Sequence, residues 1–328
     1  MLNNKSILVT GGTGSFGSAY IIHLLKTFPK IKRLVIYSRD ELKQYELQTI
    51  LPQKKYKCLR FFLGDIRDES RLQLALKNID IVVHAAALKQ VPAAEYNPTE
   101  FIKTNIIGAQ NLINCCLKEN IQKVIALSTD KAAAPVNLYG ATKLCADKLF
   151  IAANNIKGKQ KISFSIVRYG NVMESRGSVI PLFKSLKSKN IFPVTNSEMT
   201  RFNILMKESI NLVNFALKYS CGGEIFVPKI PSYRIIDVAK AINHKAKLKI
   251  IGIRPGEKIH EDLITASESY NTVSIGKYFV ILPTKKHQFI NKYLNKFNIK
   301  YIQKGFSYNS GTNERFLNIK ELKKLIFN

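Results

Sequence analysis

Apolar and polar positions follow two different rhythms along the first half of the chain. Short apolar, β-branched runs recur at 5–10, 33–38, 59–63, 80–85, 122–128 and 162–168, and each predicts a buried strand. Between them, apolar residues return at helical spacing over 15–28, 40–50, 68–77, 99–118 and 137–154. Strand alternating with helix predicts the α/β class, with a doubly wound parallel sheet. From about residue 170 the rhythm loosens. Segments 179–190, 205–219 and 234–244 read as helices and 224–227 as a short strand. Further β segments are expected near 248–253 and 277–282, and an amphipathic helix over 318–327.

The connection after the first strand changes this from a fold class to a site. Ile7-Leu8-Val9-Thr10 runs into Gly11-Gly12-Thr13-Gly14-Ser15-Phe16-Gly17, and a helical pattern follows. Gly11 suits the positive φ of a tight turn, Gly14 lets backbone approach a pyrophosphate, and Gly17 lets the helix pack close to the strand. The helix start offers unpaired amides to phosphates. A dinucleotide site is therefore expected here, contacted by Gly11, Thr13, Gly14, Ser15, Phe16 and Gly17. The expected architecture is a Rossmann-like sheet over 1–170 and a smaller, mainly substrate-binding C-terminal lobe over 171–283. Part of that lobe returns to the sheet, and a tail over 284–328 ends in the terminal helix.

Bulk composition narrows the setting. The 328 residues are 46% hydrophobic, enough for a sizeable core. No run approaches the roughly 18 apolar residues of a membrane span, and the first strand leaves no room for a signal peptide. The five cysteines form no C-x-x-C pair. These features read as a cytoplasmic chain with reduced thiols and no membrane partner. The net charge of +28 invites a nucleic-acid reading. The lysines, however, are spread along the chain without an aromatic-basic recognition motif, so no nucleic-acid partner is expected. A basic surface equally suits an anionic nucleotide.

The second strand ends in Ser38-Arg39-Asp40. An acid in this region usually holds the ribose 2′-hydroxyl of NAD, whereas an arginine receives the 2′-phosphate of NADP. Arg39 comes first and Lys43 lies one turn on, so NADP is the expected cofactor. Asp65 and Ile66 follow the third strand, where a carboxylate can accept from the adenine amino group. Ala85, Ala86 and Ala87 leave room for the cofactor after the fourth strand. Asn105, on the next helix, is expected to steady that strand behind the site.

The chemistry concentrates between 128 and 143. Ser128-Thr129-Asp130-Lys131 closes the fifth strand, and Tyr139 and Lys143 follow at i,i+4 on one helix face. Of fourteen tyrosines, Tyr139 alone has a lysine four positions later. A tyrosine of ordinary pKa near 10 is a poor base. A nearby ammonium and an oxidised nicotinamide favour its phenolate, so Tyr139 is expected to take a hydroxyl proton as hydride leaves carbon. Lys143 is placed to bond the nicotinamide ribose, and Ser128 or Thr129 to polarise the same hydroxyl.

Together, the glycine turn, Ser128/Thr129 and Tyr139-x-x-x-Lys143 resemble the extended short-chain dehydrogenase/reductases. Ser128-Thr129-Asp130-Lys131-Ala132-Ala133 and Asn137-Leu138-Tyr139-Gly140-Ala141-Thr142-Lys143 resemble, more narrowly, the inverting UDP-N-acetylglucosamine 4,6-dehydratases, which open the pathway to pseudaminic acid. Further matches run from Ser38-Arg39-Asp40-Glu41 to Arg254-Pro255-Gly256-Glu257-Lys258-Ile259-His260-Glu261 and Phe306–Asn313, so the resemblance spans essentially the whole chain. It implies UDP-N-acetylglucosamine as substrate and a homo-oligomer, dimer to hexamer.

Asp130-Lys131 is the most specific part of the match. A 4,6-dehydratase must remove the C5 proton after oxidation at C4 and expel the C6 hydroxyl as water. Lys131 suits the base only when neutral, so its pKa is expected to fall; Asp130 suits the acid only when protonated. The resemblance also implies inversion at C5 and substrate contacts at Asn171, Arg176, Met199, Arg201, Arg254 and Glu257, with Lys89 and Lys103 near the sugar or its phosphates. Guanidinium forks at 176, 201 and 254 match phosphate oxygens. One departure stands out: Glu174 occupies a position where the family pattern has glycine.

Other chemistries fit poorly. His260-Glu261 begins like H-E-x-x-H, but position 264 is Ile, so no metal is expected. No G-x-S-x-G elbow supports a serine hydrolase. His84, at a strand end, reads as packing or as a cofactor neighbour. A retaining dehydratase, a nucleotide-sugar 4-epimerase and a non-catalytic NADP-sensing protein remain as alternatives. The intact Tyr139/Lys143 pair weighs against the last.

Overall fold

The computed structural model describes residues 1–173, 178–283, 293 and 296–327. The first half alternates as its hydrophobic rhythm predicts. Strands β1 (Ser6–Thr10), β2 (Arg33–Ser38), β3 (Leu59–Leu63), β4 (Ile81–His84), β5 (Lys123–Thr129) and β6 (Ser163–Tyr169) are all present. The helices between them are α1 (Ser15–Thr27), α2 (Glu41–Ile50), α3 (Glu69–Leu76), α4 (Val91–Tyr96), α5 (Pro98–Phe101), α6 (Gly108–Lys118) and α7 (Leu138–Ile156). Every residue of β1 and β6 is buried, as the near-continuous apolar runs of a two-sided parallel sheet require.

The second half adds strands to the same sheet and builds a smaller layer beside it. Its strands are β7 (Asn171–Val172), β8 (Ile191–Val194), β9 (Thr200–Ile204), β10 (Ile225–Pro228), β11 (Ser232–Arg234), β12 (Lys247–Ile250), β13 (Asp262–Ile264), β14 (Thr272–Ile275), β15 (Tyr278–Ile281), β16 (Ile299–Tyr301) and β17 (Tyr308–Asn309). Helices α8 (Val179–Ser185), α9 (Met206–Tyr219), α10 (Ile235–Ile242) and α11 (Ile319–Phe327) complete it. The large sheet runs β16-β14-β15-β10-β6-β5-β4-β1-β2-β3. Strands β1 to β6 and β10 pair in parallel, and β14 to β16 extend the sheet antiparallel. Strand order reverses between β1 and β4, which opens a crevice at their carboxyl ends.

Several elements depart from the pattern reading, each for a local reason. The 99–118 periodicity is interrupted: a π-helical turn, Ile102–Ile107, joins α5 to α6. The segment near 277–282 is the second arm of a hairpin, β14 with β15, joined through Gly276-Lys277. Strands β7, β8, β9, β11, β13 and β17 are too short to carry a readable alternation. They form three small sheets, β11-β9-β7, β12-β8 and β13-β17, that hold the far wall of the crevice. A second apolar core lies beneath them, including Phe183, Phe192, Met199, Tyr233, Val238 and Leu322.

The glycine turn between β1 and α1 packs backbone on backbone. Gly11 has φ +63°, and a Cβ there would sit 2.8 Å from the Ala86 amide nitrogen. A Cβ on Gly17 would sit 2.4 Å from the Gly11 carbonyl oxygen and 2.7 Å from Gly12 Cα. Neither neighbour is a flexible side chain that can swing away. Gly17→Ala is therefore expected to cost about 1–3 kcal/mol through overpacking and to displace the turn. A thermal melt should show a midpoint lowered by several degrees and weaker dinucleotide binding; an unchanged midpoint contradicts this account of the turn.

Candidate active site

The crevice is a cleft of about 1200 Å³. One wall is the glycine turn with the carboxyl ends of β1, β2 and β4; the other is the turn after β5 together with the small sheets. Gly11, Thr13, Gly14, Ser15, Phe16 and Gly17 all line it, as do Ser38, Arg39, Lys43, Asp65, Ile66, Ala85, Ala86 and Ala87. Gly14 caps α1 without a side-chain hydrogen bond, which leaves the first-turn amides open to an anion. The Thr13 and Ser38 hydroxyls bond each other at 2.7 Å and tie the turn to the end of β2. Asp40 lines the cleft between Arg39 and Lys43; it caps α2 by accepting from the Lys43 amide at 3.0 Å and pairs with the Lys43 ammonium. Half-exposed Arg39 reaches Asp65 at 3.5 Å. Burial alone would raise the Asp65 pKa, but hydrogen bonds and charge from Arg67 and Arg39 hold it below the usual carboxylate range.

The opposite wall is built on one short turn. Thr129 ends β5 in extended backbone, and its hydroxyl both receives the Lys131 amide at 3.4 Å and donates to Asp130 Oδ1 at 2.9 Å. Asp130 is fully buried. The Lys131 ammonium donates to Asp130 Oδ1 at 2.9 Å and to Asn171 Oδ1 at 3.5 Å, and lies 3.1 Å from Glu261 Oε1. Helix α7 begins at once beyond, capped by Asn137, whose side-chain oxygen accepts from the Gly140 amide at 2.8 Å. A Cβ on Gly140 would lie 2.2 Å from the Lys131 carbonyl oxygen. That glycine is what lets α7 press Tyr139 and Lys143 against the Asp130–Ala132 turn.

At two catalytic side chains the protein's own groups act against the working protonation state. Burial favours a neutral Lys131, but the Asp130 and Glu261 carboxylates outweigh it and raise its pKa above the usual lysine range. Tyr139 is likewise no ready phenolate: burial pushes its pKa up to about 12, with the Lys131 charge and a Thr129 hydrogen bond opposing. Lys143 does not relieve it, because its ammonium donates to the Leu127 carbonyl oxygen at 2.8 Å. Burial lowers the Lys143 pKa in spite of the Asp147 charge. Ser128 and Thr129 both line the cleft. The Ser128 hydroxyl already donates to Asp147 Oδ2 at 2.7 Å, in a buried cluster with Arg168, whereas the Thr129 hydroxyl donates to Asp130 beside Lys131.

Of the expected substrate contacts, Lys89, Asn171, Met199, Arg201, Arg254 and Glu257 line the cleft. Arg176 and Glu174 lie outside the described residues. Arg201 is not an open fork: its Nη1 donates to the Thr200 and Ile259 carbonyl oxygens at 2.6 and 3.0 Å, and its Nε lies 3.8 Å from Glu261. Arg254 is half-exposed, 4.0 Å from Glu257. One expected substrate contact is not on the cleft wall: Lys103 stands on the exposed face and pairs with Glu100 at 3.5 Å. Asn105, expected to steady the fourth strand from behind the site, clamps the Leu88 backbone just past that strand, accepting from its amide at 2.9 Å and donating to its carbonyl oxygen at 3.0 Å, and it also bonds Thr142.

Glu261 is a site residue that sequence reasoning misses. In the sequence it shows as the acid of a failed metal motif and as the end of the matching run Arg254–Glu261, neither of which gives it a role; its neighbour His260 bonds the Thr200 hydroxyl through Nδ1 at 2.8 Å. Asn137 opens the matching run Asn137–Lys143 with no role assigned to it by the sequence; it donates to the Gly256 carbonyl oxygen at 2.7 Å and ties the Arg254–Glu257 loop to the head of α7.

His84 packs on Phe150 and bonds the Thr10 hydroxyl through Nδ1 at 2.8 Å. Burial, then the Lys143 charge, lowers its pKa from 6.5 to about 3. A folded-state pKa below the unfolded one means that its contribution is present above pH 6.5 and is lost as pH falls toward 3. The loss is on the order of a few kcal/mol. Urea midpoints at pH 7 and pH 4.5 should drop less for His84→Asn than for the parent; equal drops contradict the buried neutral imidazole.

Known proteins bring this geometry into a family. The family described as "Polysaccharide biosynthesis protein" matches residues 7–283. The chain is 49% identical to a UDP-N-acetylglucosamine 4,6-dehydratase (inverting) of Campylobacter jejuni subsp. jejuni serotype O:2, over 99% of this chain and 98% of that protein. It is 41% identical to a UDP-glucose 4-epimerase of Rickettsia bellii, over 100% of this chain and 97% of the relative. The X-ray structure of Pen from Bacillus thuringiensis superposes with a TM-score of 0.91 at 36% identity, covering 100% of this chain and 98% of the other. Among the described residues no helix is long and apolar enough to cross a membrane. With a doubly wound sheet, a glycine turn at its switch point and Tyr139 beside Lys143, the chain belongs to the polysaccharide biosynthesis protein family within the extended short-chain dehydrogenase/reductases.

Proposed function

We propose that this protein is a nicotinamide-dependent UDP-N-acetylglucosamine 4,6-dehydratase that inverts C5. The observation that carries the reading is the Asp130–Lys131 pair, 2.9 Å apart: Lys131 lines the cleft beside Tyr139, and Asp130 is fully buried directly behind it. A 4-epimerase needs Tyr139 and Lys143 but has no use for a base and an acid beyond them. A dehydratase needs both. The near-half identity to a relative named for the inverting reaction supports the same choice.

The cleft wall fits a dinucleotide: glycines at the switch point, open amides at the head of α1, and small side chains at 85–87. The chemistry that a bound nicotinamide supplies is acceptance of hydride from sugar C4 and its return to C6. Everything else falls to side chains of this chain. Tyr139 takes the C4 hydroxyl proton, with Thr129 within hydrogen-bonding reach of its oxygen. A cationic ring beside it would bring down a pKa that burial alone holds high. Lys131 passes its proton to the Asp130 carboxylate 2.9 Å away, which leaves a neutral amine and a neutral acid. The amine takes the C5 hydrogen, which a C4 ketone has made acidic, and Asp130 delivers its proton to the C6 oxygen, so water leaves. After hydride returns to C6, C5 regains a proton on the face opposite its departure, and the centre is inverted. Arg254 and Lys89, at the cleft mouth, supply positive charge for the diphosphate.

The finer reading of the cofactor is NADP. Its support is local: Arg39 and Lys43 line the cleft where a 2′-phosphate would lie, and Asp40 beside them is committed to the cap of α2 and to the Lys43 ammonium. Five free cysteines fit a reducing compartment, so the reading includes a cytoplasmic setting.

Two variants test the reaction. Lys131→Ala should keep its cofactor yet lose solvent deuterium incorporation at C5, with a rate loss on the order of 10²–10⁴-fold. Tyr139→Phe should block the 4-keto species altogether. Normal deuterium uptake by the first rules out Lys131 as the C5 base, and normal ketone accumulation by the second rules out Tyr139 as the base at the C4 hydroxyl.

A further inference from the structure

We propose that Glu261 is a positioning residue for Lys131, holding its amine as an aimed ammonium in the resting cleft and so governing when that amine is free to take a proton from a sugar carbon. The inference rests on the dehydratase reading, which is what gives Lys131 a proton to take. It adds a residue from the far side of the cleft to that chemistry.

The geometry is a charge clamp. Glu261 is 2% exposed, and its Oε1 lies 3.1 Å from the Lys131 ammonium. Asp130 faces it across the same nitrogen at 2.9 Å. Each carboxylate has a second oxygen, Asp130 Oδ2 and Glu261 Oε2, that is buried with no hydrogen-bond partner among the described residues. Two carboxylates buried this deeply are costly unless a cation lies between them. Lys131 is that cation, with Arg201 behind Glu261 at 3.8 Å.

Glu261 is also immobile, which is what a positioning role requires. Its backbone is bonded on both sides to Ser310: the Glu261 amide donates to the serine hydroxyl at 2.8 Å, and the Ser310 amide donates to the Glu261 carbonyl oxygen at 2.8 Å. The Ser310 hydroxyl bonds Thr200 at 2.8 Å. Arg201, fixed by two carbonyl oxygens, cannot swing away. Lys131 is the movable member, on four methylenes. The ionisable groups that face it are Asp130 and Tyr139 from the β5–α7 wall, Glu261 and Arg201 from the small sheets, Tyr233 from β11 and Lys89 from the loop after β4. Among these only Asp130 and Glu261 hold Lys131 charged. Removing Glu261's charge therefore leaves Lys131 easier to deprotonate, while Lys131 and Asp130 stay in place.

The test reads Lys131 directly in the cofactor-loaded protein without sugar. Lysine labelled at ε-carbon with ¹³C gives a resonance for each side chain, and Lys131→Ala identifies the one that matters. In Glu261→Gln its titration midpoint should fall by about one pH unit or more, the effect of removing one close opposite charge. In Glu261→Asp, which keeps the charge but draws it back, the midpoint should fall by less. An unmoved or raised midpoint in Glu261→Gln overturns the proposal; should that variant not fold, the same outcome in Glu261→Asp does so. Failure of the parent protein to dehydrate the sugar would end the dehydratase reading without touching this titration. An unmoved midpoint would end the positioning role of Glu261 and leave the dehydratase standing.

Discussion

One ammonium held between two buried carboxylates organises the catalytic half of this molecule. Lys131 lies within about 3 Å of both Asp130 and Glu261, and among the described residues neither acid has another cation as near. A pair of carboxylates brought out of water this far would repel each other strongly at low effective dielectric. The two sides of the cleft are thus joined by a contact that is also the chemistry. Asp130 and Lys131 come from the Rossmann half at the end of β5, whereas Glu261 comes from the start of β13. Strand β13 is itself held in place by β17 from near the end of the chain.

This arrangement changes the resting state from the one the residue types alone suggest. A base must be neutral, so isolated reasoning places Lys131 as a free amine. The surrounding charges instead favour the ammonium, just as burial favours the neutral phenol of Tyr139. Both groups are poised one proton away from their working form. Cationic charge arriving in the cleft favours the change at each: it stabilises phenolate at Tyr139 and disfavours ammonium at Lys131.

How much of this is legible in the chain follows from distance along it. The β1 turn and the Tyr139/Lys143 pair are local: a handful of residues carries the whole signal, and helix or turn geometry fixes the rest. The alternation through β6 is readable because buried parallel strands are apolar throughout and their helices are not. Glu261 is not readable, because only the small sheets bring it to Lys131. Ser128 and Thr129 look interchangeable in sequence, yet the alternation of a strand commits one hydroxyl to Asp147 and the other to Asp130 beside Lys131. Lys103 looks like a phosphate ligand by charge alone, but its helix turns it to Glu100. The strands β7, β11 and β13 are only two or three residues long, and segments so short show no period.

The central claim is that a ketone made and unmade in this cleft lets Lys131 and Asp130 remove water from a hexose. Incubating the loaded protein with UDP-N-acetylglucosamine in D₂O, and reading the product by mass and NMR, tests it most directly. The account predicts a product that has lost the elements of water, carries one solvent deuteron at C5 and has that centre inverted. A product of unchanged composition, epimerised at C4 and free of deuterium at C5, would contradict it.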